Sequence, residues 1–225
     1  MADIYAFPLG TPTAARANGK ESHAADMPMN KPLDVPDAVW NAVLSVRNMQ
    51  RVNGVAYREI PIPCALADFG IGVALEGSPY LDEKTYFRND RGMMGSHCVK
   101  ADGWIMVLYS CEYRDDWHSH WRCVAFASLP LPHEEEDCLA PSMYWDSMLD
   151  HLDGANAQDV SGTVTVTRNT AFGLIRNVPR AGCELRVSWT PLDYADGGFD
   201  AGAQVESWAW FLRSMTQSEE DVPVE

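Results

Sequence analysis

The side chains best placed for chemistry in this sequence are two histidines two positions apart. His118 and His120, with Asp115 and Asp116 just before them, offer two imidazoles and a carboxylate to a metal if the segment is extended, because i and i+2 side chains share one face of a strand. A metal site asks for more, and no third histidine or cysteine stands at a recognisable spacing from the pair. The run Arg114-Asp-Asp-Trp-His-Ser119 reads more economically as a solvated turn between strands. No metal and no other cofactor is expected, and His118 and His120 stand as the candidates should one bind.

Other reactive groups are less specific still. His133-Glu-Glu-Glu-Asp137 begins like a zinc-protease signature but lacks the second histidine four residues on. It reads as a solvated acidic run that opposes the positive end of a following helix. His97-Cys98 has no wider pattern around it. The six cysteines, at 64, 98, 111, 123, 138 and 183, form no Cys-x-x-Cys pair, and the spacing is unlike that of a small secreted scaffold. They read as reduced thiols, with Cys111, Cys123 and Cys183 in strand patterns and expected in the core. A nucleophilic thiol needs a lowered pKa and exposure, which no pattern here announces. Phosphate-binding, dinucleotide-binding and nucleophile-elbow glycine motifs are all missing from the sequence, so no catalytic residue is assigned.

The elements that must position any site follow from composition and periodicity. A chain of 225 residues, 46% of them apolar, suits one core, since a single core stops growing at roughly 250 to 300 residues. The formal charge of −15 repels phosphate backbones and anionic lipid, so neither nucleic acid in general nor a membrane is expected as partner. The N-terminus lacks the basic start and apolar core of a secretory signal, and no stretch approaches the roughly eighteen apolar residues of a span. The chain reads as cytoplasmic. Charge is uneven: residues 112 to 153 carry ten acids against Arg114 and Arg122, while residues 159 to 190 hold Arg168, Arg176, Arg180 and Arg186 against Asp159 and Glu184.

Residues 1 to 33 show no sustained periodicity and read as a disordered tail, and residues 218 to 225 as an acidic disordered one. Between them, 34 to 217 is expected to form a single domain. Asp34 and Pro36 start a helix whose Val39, Trp40, Val43, Val46 and Met49 recur at helical spacing. Tyr57 to Pro63 is an extended edge segment, because Pro61 and Pro63 remove ladder donors. Phe69 to Gly77 alternates as a strand, and residues 78 to 100 form a long polar excursion. Trp104 to Cys111 is apolar on both alternating sets, as expected for a central strand covered on both faces, and it pairs as a hairpin with the strand from Trp121 to Ala127. A second helix runs from about Pro141 to Asp153. Residues 160 to 167 and 183 to 190 form a second hairpin, and a closing helix from about Ala201 carries Val205, Trp208, Leu212 and Met215. The order α-β-β-β-α-β-β-α, with three helices and about five to six strands, predicts an α+β fold with an antiparallel sheet.

Three segments carry a resemblance. Ser161-Gly-Thr-Val-Thr, Arg186-Val-Ser-Trp-Thr-Pro-Leu-Asp193 and Glu59-Ile-Pro-Ile-Pro63, with the helix containing Trp208, resemble the actinobacterial family known as domain of unknown function 3000 over about residues 36 to 217. The resemblance implies a lineage and no substrate, cofactor or catalytic residue. The element order is also similar to that of small secretion chaperones, acidic α+β proteins that bind polypeptide segments.

The outward face of the second hairpin, with Thr163, Thr165, Thr167, Arg168, Glu184, Arg186 and Ser188, reads either as a solvated strand face or as a basic, hydroxyl-rich platform for an acidic segment. Trp208 and Trp210 point about 200° apart on a helix, so only one can face the core, and Trp210 is the candidate anchor at an interface. The expected binding residues are Arg168, Arg186, Thr165 and Trp210. The expected function is a non-enzymatic protein-binding or adaptor domain, chaperone-like, with a protein partner or a second copy of itself. The alternative is an enzyme with an unrecognised small-molecule or metal site.

Overall fold

The computed structural model describes residues 31–77, 100–131, 140–168, 181–192 and 199–216. They fold as α1 (Asp37–Asn48), β1 (Val55–Ile60), β2 (Phe69–Gly77), β3 (Ala101–Arg114), β4 (Ser119–Pro130), α2 (Ala140–Asp153), β5 (Ala157–Arg168), β6 (Ala181–Pro191) and α3 (Ala201–Ser214). One six-stranded sheet has the order β1-β2-β3-β4-β6-β5, with every neighbouring pair antiparallel. The fold is α+β, as the element pattern predicts.

One strand more is present than the order α-β-β-β-α-β-β-α allows. The segment before Pro61 is a ladder-paired strand, matched to β2 from Val55↔Gly77 to Ile60↔Gly72. Its prolines end it instead of preventing it, since proline is tolerated at an edge and beyond the last donor. The predicted excursion over 78–100 lies outside the described residues except for Lys100. So do the acidic run 134–137, the acidic tail and the first thirty residues of the N-terminal tail.

All three helices pack on one face of the sheet. α3 lies against β2, β3 and β4 and touches both other helices, α2 lies on β5, and α1 reaches β2. α1 presents Val39, Trp40, Val43 and Val46 to the core, and α3 presents Val205, Trp208 and Leu212, the one-sided spacing of an amphipathic helix. The two helices meet at a close point. Gly202 N–H donates to Ser45 Oγ at 2.8 Å, Ser45 Oγ donates to the Asp200 carboxylate, and that carboxylate caps α3 by accepting from Ala203 N at 3.1 Å. A Cβ at Gly202 would fall 2.8 Å from the Ser45 carbonyl, so the approach needs glycine.

The core strands divide their side chains as alternation requires. Ile105 and Val107 of β3, Cys123, Ala125 and Ala127 of β4, and Cys183, Leu185 and Val187 of β6 are buried under the helices. Burial of Cys123 and Cys183 agrees with the strand patterns. Cys111 does not: it is exposed, because the β3–β4 register breaks between Tyr109 and Arg114 and the alternation that would bury it stops there. Coverage of β3 on its second face is also partial. Met106 and Leu108 are buried there with Trp117, but Trp104 is half-buried and Asp102 exposed.

The α3 orientation separates its two tryptophans, with Trp208 fully buried and Trp210 49% exposed. Trp208→Ala is expected to cost about 3–5 kcal/mol of stability and Trp210→Ala under about 1 kcal/mol. Urea midpoints of the two variants check this, and similar losses would mean that α3 is rotated differently.

Candidate functional site

With the helices on one side, no described helix covers the second face of the sheet. The pairing registers align six residues in one row across it: Arg58 on β1, Ala74 on β2, Trp104 on β3, Phe126 on β4, Arg186 on β6 and Thr163 on β5. Trp104 and Phe126 stack with ring centroids 6.0 Å apart and an interplanar angle of 23°. The Arg186 guanidinium carbon lies 5.5 Å from the Phe126 centroid, within cation–π range. Arg186 Nη2 also donates to Glu184 Oε2 at 2.8 Å. At the other end of the row Arg58 is exposed and makes no ion pair with a described residue.

A concavity of about 600 Å³ opens over this row, lined among others by Ala56, Arg58, Ala74, Asp102, Trp104 and Phe126. Its acidic border is uneven. Although Asp102 is exposed overall, partial desolvation of its carboxyl against the sheet pushes it above its ordinary pKa, the neighbouring Glu76 adds to this, and Lys100 opposes it. Glu76 itself is held low by the hydrogen bond that Lys100 Nζ donates to it at 2.7 Å. Beyond the row on the other side, Ile60, Ile62 and Ala67 close over Met106 and Leu108 beside Trp117, and Arg114 stacks on the Trp117 ring at 4.5 Å. The aromatic pair thus lies at the boundary between a covered and an open part of the face.

Arg122 braces the strands beyond. Its Nη1 donates to Thr190 Oγ1 and its Nη2 to Ser188 Oγ, both at 2.8 Å, with longer contacts of 3.4 Å to Ser161 Oγ and the Asp159 carbonyl. Thr190 Oγ1 in turn donates to the Trp117 carbonyl at 2.6 Å. Burial lowers the Arg122 pKa and Asp159 partly restores it. One guanidinium therefore joins β4, β6 and the start of β5 through four neutral oxygens.

The sequence-predicted residues part company on this frame. Thr165 and Arg186 lie on the open face, in adjacent rows, with Thr165 opposite Glu184 and Thr163 opposite Arg186. Arg168 takes the register position opposite Ala181, and its side chain lies outside the described residues. Trp210 belongs to α3, which packs on the opposite face, so it cannot share a ligand with Arg186. His118 and His120 do not share a face of an extended segment. His118 sits in the turn with a left-handed φ of 51° and places Nδ1 3.0 Å from Asp159 Oδ2, whereas His120 Nδ1 lies 2.9 Å from the Ser110 carbonyl. Asp116 accepts from Arg114 at 2.9 and 3.0 Å. Among the described residues no three His, Cys, Asp or Glu side chains converge as metal ligands.

Three of the described thiols, Cys111, Cys123 and Cys183, are likewise held against attack. Burial raises the pKa of Cys123 and pushes that of Cys183 up to about 11; at the exposed Cys111 slight local desolvation and then Asp68 raise it. A thiol so held stays protonated at neutral pH. The residues that sequence reasoning missed are Arg58, Trp104, Phe126 and Arg122. The signal lay in the second alternating set of β3 and β4, Trp104 and Phe126 included, which reads as core until the helices are known to cover one face.

A sheet covered by helices on one side, with an aromatic and cationic row on the other, defines an α+β protein. The chain belongs to the family described as Protein of unknown function (DUF3000), whose model matches residues 35–218. No curated protein matches the chain. No solved structure does either. Among the described residues, no helix is long and apolar enough to cross a membrane.

The raised Asp102 carboxyl gives a pH signature. The folded state binds this proton more tightly than the unfolded chain, so stability falls as pH rises from the ordinary aspartate range through the raised value. Asp102→Asn removes that penalty. The variant is expected to melt higher than wild type at neutral pH, with the difference closing in acid below the ordinary aspartate pKa. Melting temperatures across that range test the assignment, and equal values at pH 7 would refute it.

Proposed function

We propose that this protein is a non-enzymatic binding or adaptor domain that holds a polypeptide segment across the open face of its sheet. The observation that carries the reading is the row Arg58, Trp104, Phe126 and Arg186. Two stacked aromatic rings supply rigid apolar area at little entropic cost, and aromatic residues with arginine are the side chains that dominate binding energy at interfaces. Arg58 and Arg186 are four strand spacings apart, roughly 19 Å at about 4.8 Å per strand. A helix of about thirteen residues covers that distance. The partner that fits is an amphipathic segment with an apolar middle over Trp104 and Phe126 and a carboxylate toward each arginine. The concavity beside Asp102, which an enzyme would use, has no histidine or cysteine among its described lining residues.

Affinity purification of the tagged protein from its own cells tests this with variants on both sides of the sheet. A partner retained by wild type is expected to be weakened by about 2 kcal/mol or more in Trp104→Ala and to be lost on charge reversal at Arg186. Charge reversal at Arg168 tests whether the platform extends to the end of β5. Trp210→Ala, on the opposite layer, leaves binding unchanged. A partner indifferent to Trp104 and Arg186 but released by Trp210→Ala would place the interface on α3 and sink this reading.

A further inference from the structure

The sheet has two edges, and they are built differently. β1 is six residues long, carries Arg58 and Glu59 and is followed by Pro61 and Pro63. Shortness, charge and proline are the usual means of keeping an edge from pairing with another chain. β5, the opposite edge, runs twelve residues, and its protection is confined to its ends. At the start the register slips between Gln158 and Ser161, next to Asp159 with a left-handed φ of 48°; at the far end stands Arg168. Between them Val160-Ser-Gly-Thr-Val-Thr-Val-Thr167 holds no charge and no proline. It pairs with β6 in unbroken register from Ser161 onward, and its threonines and valines are the residues that strands favour.

An apolar surplus lies beside this edge. Val166 is 41% exposed although its register partner Cys183 is buried on the helix side of the sheet. α2 packs on β5 and joins it through a tight turn at Ala155 and Asn156, so the two run antiparallel. That arrangement brings Met143, 61% exposed near the start of α2, toward the same end as Val166.

We propose that β5 is the interface of a two-fold homodimer, in which it pairs antiparallel with β5 of a second copy and the two sheets become one. The self-complementary pairing about Thr163 selects a second copy as the occupant, and the uncharged edge permits it. A two-fold axis normal to the sheet keeps each face on its own side. With the axis at Thr163, Val160 faces Val166 of the second copy, Gly162 faces Val164, and Ser161 faces Thr165. Apolar side chains meet on the helix side and hydroxyls on the open side, the pairings that stabilise cross-strand neighbours. No like charges oppose each other within the stretch, while the rest of a chain of net charge −15 repels its copy. The uncharged edge is where that repulsion is least.

Sedimentation equilibrium of the full chain across the micromolar range, at physiological and raised salt, tests the proposal. A reversible dimer is expected, tightening as salt rises, because screening relieves repulsion between two acidic bodies. Thr163 is exposed, so Thr163→Lys should lower the monomer's folding equilibrium constant less than about fivefold, a loss of under about 1 kcal/mol. It sets like charges opposite on the axis and should weaken dimerisation at least about tenfold. Thr163→Cys should give a disulfide-linked dimer under mild oxidation well beyond what exposed Cys64 and Cys111 give in wild type. A chain that stays monomeric in every condition, a dimer indifferent to Thr163→Lys, or a Thr163→Cys variant that cross-links no better than wild type overturns the interface and leaves the binding face as it stands.

Discussion

Gln204 is the polar group on which the layering turns. It is 3% exposed, accepts from Trp189 Nε1 at 2.7 Å and donates to the Ala155 carbonyl at 2.8 Å. One amide thereby ties α3 to β6 and to the turn between α2 and β5. A buried amide that loses a partner costs about 1–3 kcal/mol, so the rotation and the height of α3 over the sheet are set together. Trp208 then meets Trp189 at 6.0 Å and Phe211 at 5.1 Å between ring centroids. α1 is fastened to this fixed helix by the Ser45, Asp200 and Gly202 contacts. All three helices end on one side because the polar bridge and the tryptophans place α3 there.

One-sided cover has a consequence for the strands beneath. Side chains that alternate away from the helices must find cover of their own or face water. Met106 and Leu108 find it under Ile62, Ala67 and Trp117. Trp104 and Phe126 do not, and their mutual stack buries part of each ring. A half-exposed aromatic pair beside a concavity is apolar area held back from the core, and it is this area that the proposed function uses. Its rim is Arg58, Asp102 and Arg186.

The helices, the second hairpin and the opposed tryptophans of α3 were legible in the sequence, since each rests on a period within one segment. What crosses segments was not. Trp104 and Phe126 become neighbours only through the β3–β4 register, and Arg186 joins them only because β6, not β5, lies beside β4; register and strand order are set by long-range pairing that no local pattern encodes. The pairing of β1 was hidden for a related reason, as the prolines at 61 and 63 mark where the ladder stops without telling where it starts. Cys111 and the two histidines misled in the opposite sense. The alternation and the extended geometry they presuppose stop at the irregular end of the β3–β4 hairpin, where His118 turns left-handed toward Asp159 and His120 turns to the Ser110 carbonyl.

The cations of the open face differ in how they are held, and this bears on the binding role proposed for it. Arg122 is committed: hydroxyls on β5 and β6 and the Asp159 carbonyl take its donors, so its charge stiffens the frame. Arg186 is poised. Glu184, two residues along the same strand, and the Phe126 ring fix its guanidinium in place while its side chain stays 61% exposed. A side chain already ordered loses less entropy when it meets a ligand, and that saving appears as affinity. Arg58, exposed and without an ion pair among the described residues, is the looser of the two. The firm end of the row is therefore Arg186 with Phe126, and in the proposed complex a segment docking there first would gain the apolar contact of Trp104 before having to order Arg58.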